Sequence, residues 1–517
     1  MVDNNFQLDV ICKHSHIEIR NYELGMCQEL ERTFSYYDMG YFRLNPLGQY
    51  YDADNMTLYI PRGIDIWWLE SKLGVKVKMD YECTPYRYTK DINLRVEPRE
   101  NQKEALRFMV CAGEYKKNAS KSQLSLNLNT GKGKTYISIA SIVYYGLATI
   151  LIMSSNSYIE QWKERILEYT DLKEKDIKII RGSAGVNGLL KNKKNTHSIY
   201  LVTHSTLHSY ATTNGWDKLN DLFTALGIGI KIYDEAHQNF ENICMIDFFT
   251  NVYKTFYVTA SPAKSSEEEN RIYGLYFKNV PSITLFDTEN DPHTKYIAIK
   301  FNSNPTIYDL HACKNNYGFN RNAYIEYLIN KPEYYQLLRV ILNLALKCEG
   351  KCLIYIGTNK AITTTYCWIA LNYPELSGKV GIFTSLLSVE EKENVKANSK
   401  IILSTTKSAG AAVDIKDLKM TVVLNEPFKS HVITQQTIGR TRDDNTFYID
   451  CVDMGFKQCK RYFTYKKPVV DKYCTTREQI LLSAAELKTR NDRIVRERGV
   501  IDLVSHAVIN LVDWAES

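Results

Sequence analysis

Two short segments carry the residue types that phosphate chemistry needs. LNTGKGKT runs from Leu128 to Thr135, and YDEAH runs from Tyr233 to His237. In the first, glycines let the backbone approach a phosphate chain, and the N–H groups of the loop and of a following helix attract its charge. Thr130, Gly131, Lys132 and Gly133 would line this cradle. Lys134 would reach the β- and γ-phosphates, and the Thr135 hydroxyl would hold Mg²⁺. Leu128 stands where the fuller pattern has glycine. In the second segment Asp234 ends an apolar run and would hold the same ion, directly or through water. Glu235 beside it would polarise the attacking water as general base. A glycine-rich turn or an acidic pair alone is weak evidence; at this separation, in strand–loop–helix context, the two imply ATP hydrolysis.

Further residues fall into place around them. Gln102, in PRENQKEA, precedes the loop and can pair with an adenine edge, although a helix start after Pro98 accounts for it locally. Thr259 and Ser261, in VTASPAK, are short hydroxyls placed to couple the γ-phosphate region to a second domain. QQTIGRTR offers Gln436, Arg440 and Arg442, whose charges can stabilise the transferred phosphoryl group. STTKSAGAAVDI places small residues before Asp414, which could bridge a ribose or orient an arginine.

The elements that must hold these residues read as α/β. LSLNL, ATILIMS, SIYLVTH, IKIYD and TFYVTA are near-continuous apolar runs with chemistry at their C-terminal ends, as in a parallel sheet covered by helices on both faces. A polar stretch from Asp291 to Asn330 reads as a connection holding one strand, YIAIKF. A second series follows: KCLIYIG, VGIF, KIILSTT, MTVVLN and TFYIDCVD. Before all of this, LDVICKHSHIEI, YELGMCQELERTF, YFRLN, MTLYIPRG, IDIWWLESKLG and VKVKMDYE alternate strands with helical spacing, which suggests a small α+β module. The expected division is 1–96, a nucleic-acid-binding α+β domain; 97–291 and 292–465, two tandem parallel-sheet domains; and 466–517, a basic helical extension with apolar spacing through ILLSAAEL and IDLVSHAVINLV.

Composition narrows the class. With 517 residues, 24% charged and 44% hydrophobic, the chain suits several soluble domains. Net charge is +6, but Gly455–Arg498 holds 12 Lys/Arg against 5 Asp/Glu, an excess of 12 − 5 = +7 that suits a polyanion. The 12 cysteines contain no CxxC pair, so reduced thiols are expected rather than a metal site. The longest apolar stretch, near Ile137 to Met153, is broken by Gly146, and MVDNNFQLDV lacks the order of a secretory signal. A cytoplasmic location, no membrane partner and a monomer are expected.

The ordered motifs resemble helicase superfamily 2. RENQ, TGKGKT, ILIMSSNSYIEQW, LVTHSTL, YDEAH, TAS, CLIYIGTNKA, STTKSAGAAVDI and QTIGRTR span residues 97 to 450. The resemblance implies two RecA-like domains with ATP and Mg²⁺ between them, completed by Gln436, Arg440 and Arg442. It also implies backbone contacts to nucleic acid from Ser154, Asn156, Thr203, Thr358 and Thr405; a hydroxyl or amide capping its own loop is the local alternative. SHIEI, ELERTFSYY, YFRLNP, LYIPRG and FYIDCVDMGF…YFTYKKPVVDKY resemble phage branch-migration helicases of the UvsW type. These act on forked, junction or R-loop DNA, and their host setting is the infected cell's cytoplasm. RNA helicases and translocase subunits of nuclease complexes share the motor motifs, so RNA or an RNA–DNA hybrid is the competing substrate. Two departures stand out. Arg440 and Arg442 are spaced R-x-R, with Asp443 where the family's second arginine falls, and Ala412 replaces a common glycine.

Overall fold

The computed structural model describes residues 7–38, 43–128, 132–191, 196–260, 267–285, 294–315, 318–409, 415–440 and 446–482. Contacts divide the chain into two units, Met1–Phe286 and Asp287–Ser517.

In the first unit, seven parallel strands form one sheet in the order Ile177–Ile180, Ile199–Thr203, Thr149–Met153, Ile230–Asp234, Lys254–Thr259, Gln123–Leu128, Ser282–Leu285. The five inner strands are the five apolar runs of the sequence. Four of these are buried at every residue, as a sheet covered on both faces requires, and Ile230–Asp234 opens only at its terminal Asp234. Parallel pairing sends all C-terminal ends to one edge. There the chain leaves Leu128, Met153, Thr203, Asp234 and Thr259 for the loops that carry the motifs.

The N-terminal segment forms a five-stranded sheet, ordered Tyr50–Asp52, Thr57–Pro61, His16–Arg20, Asp9–Cys12, Val77–Met79. LDVICKHSHIEI is therefore a hairpin and not one strand. Lys13 N–H closes its turn on His16 O at 2.8 Å, and Val10 pairs Ile19 across it. This sheet shares a core with the first parallel sheet: Ile17, Ile19, Leu58 and Ile60 join Tyr233, Ile243 and Tyr257 in one apolar cluster.

The second unit repeats the parallel plan in the order Val380–Phe383, Ile401–Ser404, Lys351–Tyr355, Leu418–Val423, Thr446–Asp453, Thr294–Phe301, Cys474–Leu481. YIAIKF is thus part of an inner strand of this sheet and not an element of a connection; all but two of the eight residues of Thr294–Phe301 are buried. The basic tail begins as a helix, Lys457–Tyr473, but Cys474–Leu481 is an edge strand with alternating burial. ILLSAAEL beyond Leu482, and IDLVSHAVINLV, lie outside the described residues. All 12 cysteines are unpaired, and no described helix is long and apolar enough to cross a membrane.

Candidate functional site

The phosphate loop follows the buried strand Gln123–Leu128 and ends in the helix Lys134–Tyr145. Thr130 and Gly131 lie outside the described residues. Gly133 caps the helix at φ +84°, the left-handed region that glycine enters without steric cost. A Cβ here would also sit 2.0 Å from Gln102 Nε2, so the Gln102 carboxamide lies directly over the loop. Gln102 is buried, and its Oε1 accepts from Arg99 N–H at 3.0 Å in a capping box that opens the helix Glu100–Met109. The structure therefore brings Gln102 to the loop while also giving it the helix-start role. Lys132 and Thr135 are half-buried at the helix entrance.

Lys134 Nζ lies 3.4 Å from Glu235 Oε1, and both side chains are nearly closed off from solvent. Strand alternation would send consecutive side chains to opposite faces. Glu235 breaks the alternation with φ +50°, a conformation unusual outside glycine, and its carboxylate turns toward Lys134. Asp234 is fixed from two directions: Trp162 Nε1 donates to Oδ2 at 2.7 Å, and Glu235 N–H donates to Oδ1 at 3.0 Å. His237 Nδ1 lies 3.3 Å from Glu235 Oε2 and 2.8 Å from Thr259 Oγ1, joining the acidic motif to the end of the next strand. Ser261 lies outside the described residues.

Electrostatics separates the two carboxylates. Burial, then the charge of Glu235, pushes Asp234 up to about 6. Burial also pushes Glu235 upward, but Lys134 and His237 outweigh it and hold Glu235 below its ordinary value. Neighbouring acids driven apart in this way take different roles. The surroundings favour the ionised form of Glu235, and they disfavour the charge of Asp234 unless a cation lies beside it. The described residues hold no cluster of three or more His, Cys, Asp or Glu that could bind a metal unaided. The donor set instead fits an ion of the Mg²⁺ kind, which takes one carboxylate, a hydroxyl such as Thr135, waters and substrate phosphates.

Beneath the site the strand Ile230–Asp234 is anchored by a buried polar hub. Lys231 Nζ meets Asp247 Oδ1 at 2.5 Å, with both side chains fully enclosed. Tyr233 and Tyr257 donate to the Asp247 oxygens at 2.8 and 2.6 Å, and Tyr276 also donates.

The residues expected at nucleic acid sit as follows. Ser154 is half-buried and Asn156 exposed, at the start of the helix Asn156–Tyr169. Thr203 accepts from Thr206 N–H at 3.2 Å, Thr358 from Ala361 N–H at 3.2 Å, and Thr405 from Ser408 N–H at 3.0 Å. Each of these three hydroxyls thus caps its own loop or helix. In the second unit, Gln436 is half-buried on the helix His431–Ile438. Arg440 is buried against the phenol of Tyr355, which burial pushes up to about 12 and Arg440 draws back. Arg442 and Asp414 lie outside the described residues. Trp162 and His237 were given no individual role by the sequence. Trp162 lies within ILIMSSNSYIEQW, yet its contact to Asp234 crosses 72 positions, and only a search for indole donors near the motifs could have raised it.

Residues 95–264 match the family model of the type III restriction enzyme res subunit. The putative DNA 3'-5' helicase Rad25 of Haloarcula marismortui is 23% identical over 145 residues, which are 28% of this chain and 21% of that protein. The match therefore spans about a fifth of that relative's length. Among solved structures, a fragment of a putative HsdR subunit of a type I restriction enzyme from Vibrio vulnificus YJ016 covers 93% of this chain and 87% of its own, with 13% identity and a TM-score of 0.50. T4 UvsW covers 92% of this chain and 99% of its own at 17% identity, with a TM-score of 0.35. At these identities, structural likeness speaks to the fold alone.

Proposed function

For this chain, which resembles the superfamily 2 helicases and shares their tandem parallel-sheet fold, we propose an ATP-driven motor that unwinds or branch-migrates DNA. The observation that carries the reading is the cluster of Lys134, Glu235 and Asp234 at one sheet edge, with Trp162 and His237 holding the two acids. Incoming phosphates compete for Lys134 and draw it from Glu235. The freed carboxylate then accepts the proton of the attacking water. Asp234 and Thr135 would hold Mg²⁺, which would supply positive charge to the transferred phosphoryl group. Gln436, Arg440 and Arg442 are the candidates for stabilising charge on the transferred phosphoryl group, and Asp414 for orienting an arginine or the ribose. Gln102 reads the adenine edge. Ser154, Asn156, Thr203, Thr358 and Thr405 face the nucleic-acid backbone, with backbone amides of their loops as the donors where the hydroxyls are engaged.

The N-terminal resemblance in sequence favours branched DNA: forks, junctions and R-loops. The protein acts as a monomer in the cytoplasm. The matched relatives named for restriction enzymes support a second reading, a translocase subunit that works beside a nuclease. ATPase stimulation compared across single-stranded, duplex, forked, four-way and RNA-containing substrates separates these. Strongest stimulation by forked or four-way DNA supports the proposal. A preference for RNA, or for plain duplex with no strand separation, overturns it.

A further inference from the structure

The edge of the first parallel sheet opposite the hydrolysis site is not bare. An extended strap, residues 80–98, crosses the N-terminal ends of the strands. Thr84 N–H bonds Asn251 O at 2.7 Å, just before Lys254–Thr259. Arg87 N–H bonds Gly227 O at 3.0 Å before Ile230–Asp234, and Ala148 N–H returns to Arg87 O at 3.1 Å before Thr149–Met153. Tyr81 begins this course beside His14, whose carbonyl is bound by Ser122 at the start of Gln123–Leu128.

The strap presents tyrosines instead of burying them. Tyr88 is 73% exposed, Tyr81 52% and Tyr253, from the sheet edge itself, 37%. Tyr86 links two of them, with ring centroids 5.5 Å from Tyr253 and 6.0 Å from Tyr88. The Arg62 guanidinium lies over the Tyr81 ring at 5.4 Å. Beside it, Arg62, Lys121, Ser122, Gln123 and Asn279 line a cleft of about 200 Å³. Lys254 Nζ donates to the carbonyls of Ala119 and Lys121 at 2.8 and 2.6 Å, fixing the turn that offers Lys121 to solvent. Of the strap's carboxylates, Asp80 is tied to Lys13 at 3.0 Å, while Glu82, Asp91 and Glu97 are exposed, as are Lys90 on the strap and Lys121 before the strand Gln123–Leu128.

Exposed aromatic faces interleaved with cations suit a single strand, whose bases stack and whose phosphates follow the charge. Protein interfaces share the tyrosines but are depleted in lysine, so the lysines tip the choice. We propose that this strip is a second nucleic-acid surface that binds single-stranded DNA or RNA by stacking, on the edge away from the motor motifs. The tyrosine row crosses four neighbouring strands, roughly 14 Å at ~4.8 Å per strand. That accommodates about four nucleotides at ~3.4 Å each. The strip would hold a strand near the motor irrespective of sequence. This rests on the reading of the chain as a nucleic-acid motor.

The test uses the full chain with a thymidine oligonucleotide carrying photoactivatable 4-thiothymidine, and maps the adducts by peptide sequencing. Adducts on Tyr81, Tyr86, Tyr88 or Tyr253 are expected, beside any on the motor edge. Tyr88→Ala with Tyr253→Ala should remove those adducts and weaken oligonucleotide binding about tenfold or more. The double Tyr→Phe variant should keep both, and ATPase without nucleic acid should be unchanged in each. Adducts confined to the motor edge, or equal affinity of the alanine and wild-type proteins, overturn the strip while leaving the motor reading intact. A wild-type protein that binds no single strand and shows no stimulated ATPase overturns both.

Discussion

Asp234→Asn should remove activity and stabilise the first unit. The Asp234 carboxyl is pushed up to about 6, first by burial and then by the charge of Glu235. In an unfolded chain it titrates near ~3.9. A folded value above the unfolded one means that the native state holds the proton more tightly between about pH 4 and 6. Stability therefore falls as pH rises through that window, and the whole cost is present above it. A difference of about two pH units at ~1.4 kcal/mol each sets an upper figure of about 3 kcal/mol. Asparagine removes the charge but keeps one acceptor oxygen, whereas Trp162 Nε1 donates to Oδ2 at 2.7 Å and Glu235 N–H to Oδ1 at 3.0 Å, so one of these two donors loses its partner, at a cost of about 1 kcal/mol. Without Mg²⁺ or nucleotide at pH 7.5, the variant should still gain about 1–2 kcal/mol, seen calorimetrically as a rise of a few degrees in the transition of the first unit. The gain should vanish below about pH 4, where both proteins carry a neutral side chain. ATPase should fall by at least a hundredfold, since the ion loses its carboxylate. A variant less stable than the parent at pH 7.5, or a gain that persists at pH 3.5, would refute the claim that the site carries an electrostatic cost that its cation relieves.

The remaining predictions concern the groups around that carboxylate. Trp162→Phe deletes a donor that favours the ionised form, so the acid limb of the kcat/KM–pH profile should move up by about one unit, with activity recovering in alkali; an unmoved limb would show that Trp162 only fills space. Gly133→Ala should cost at least tenfold in binding of a fluorescent ATP analogue, because φ +84° strains alanine and its Cβ meets Gln102 Nε2. Adding Gln102→Ala should recover part of that loss, and no recovery would place the fault in the backbone alone. Lys231→Met leaves Asp247 buried with its charge unpaired, and urea unfolding should show a loss of about 3–5 kcal/mol; a loss below ~1 kcal/mol would mean that the three tyrosines satisfy Asp247 unaided.

What the sequence made legible was local. The apolar runs LSLNL, IKIYD and TFYVTA each fill a strand, and their chemistry lies within a few residues of the strand's end, so strand and motif could be read together. Edge strands were harder. Ile177–Ile180 and Ser282–Leu285 are four residues long and partly exposed, with burial that alternates too briefly to declare a period. Cys474–Leu481 reads CTTREQIL; Thr475, Arg477, Gln479 and Leu481 form its exposed face while Thr476 and Glu478 share the half-buried one, so polarity does not follow a period of two. The contacts that tune the site were hidden for a different reason. Trp162 to Asp234, Gln102 over Gly133 and Lys231 to Asp247 are tertiary, and no spacing along the chain announces them. The hydroxyls of Thr203, Thr358 and Thr405 were legible as strand-end residues, but a cap and a ligand contact use the same atoms.

The central claim is that Lys134, Asp234 and Glu235 hydrolyse ATP in response to nucleic acid. The most direct measurement is steady-state ATPase of the full chain with Mg²⁺, with and without forked DNA, for the wild type and for Lys134→Ala. Stimulation of at least tenfold is expected for the wild type, and none for Lys134→Ala, which should still bind the fork. Hydrolysis by Lys134→Ala at the wild-type rate would contradict it, and so would a wild-type rate indifferent to every nucleic acid supplied.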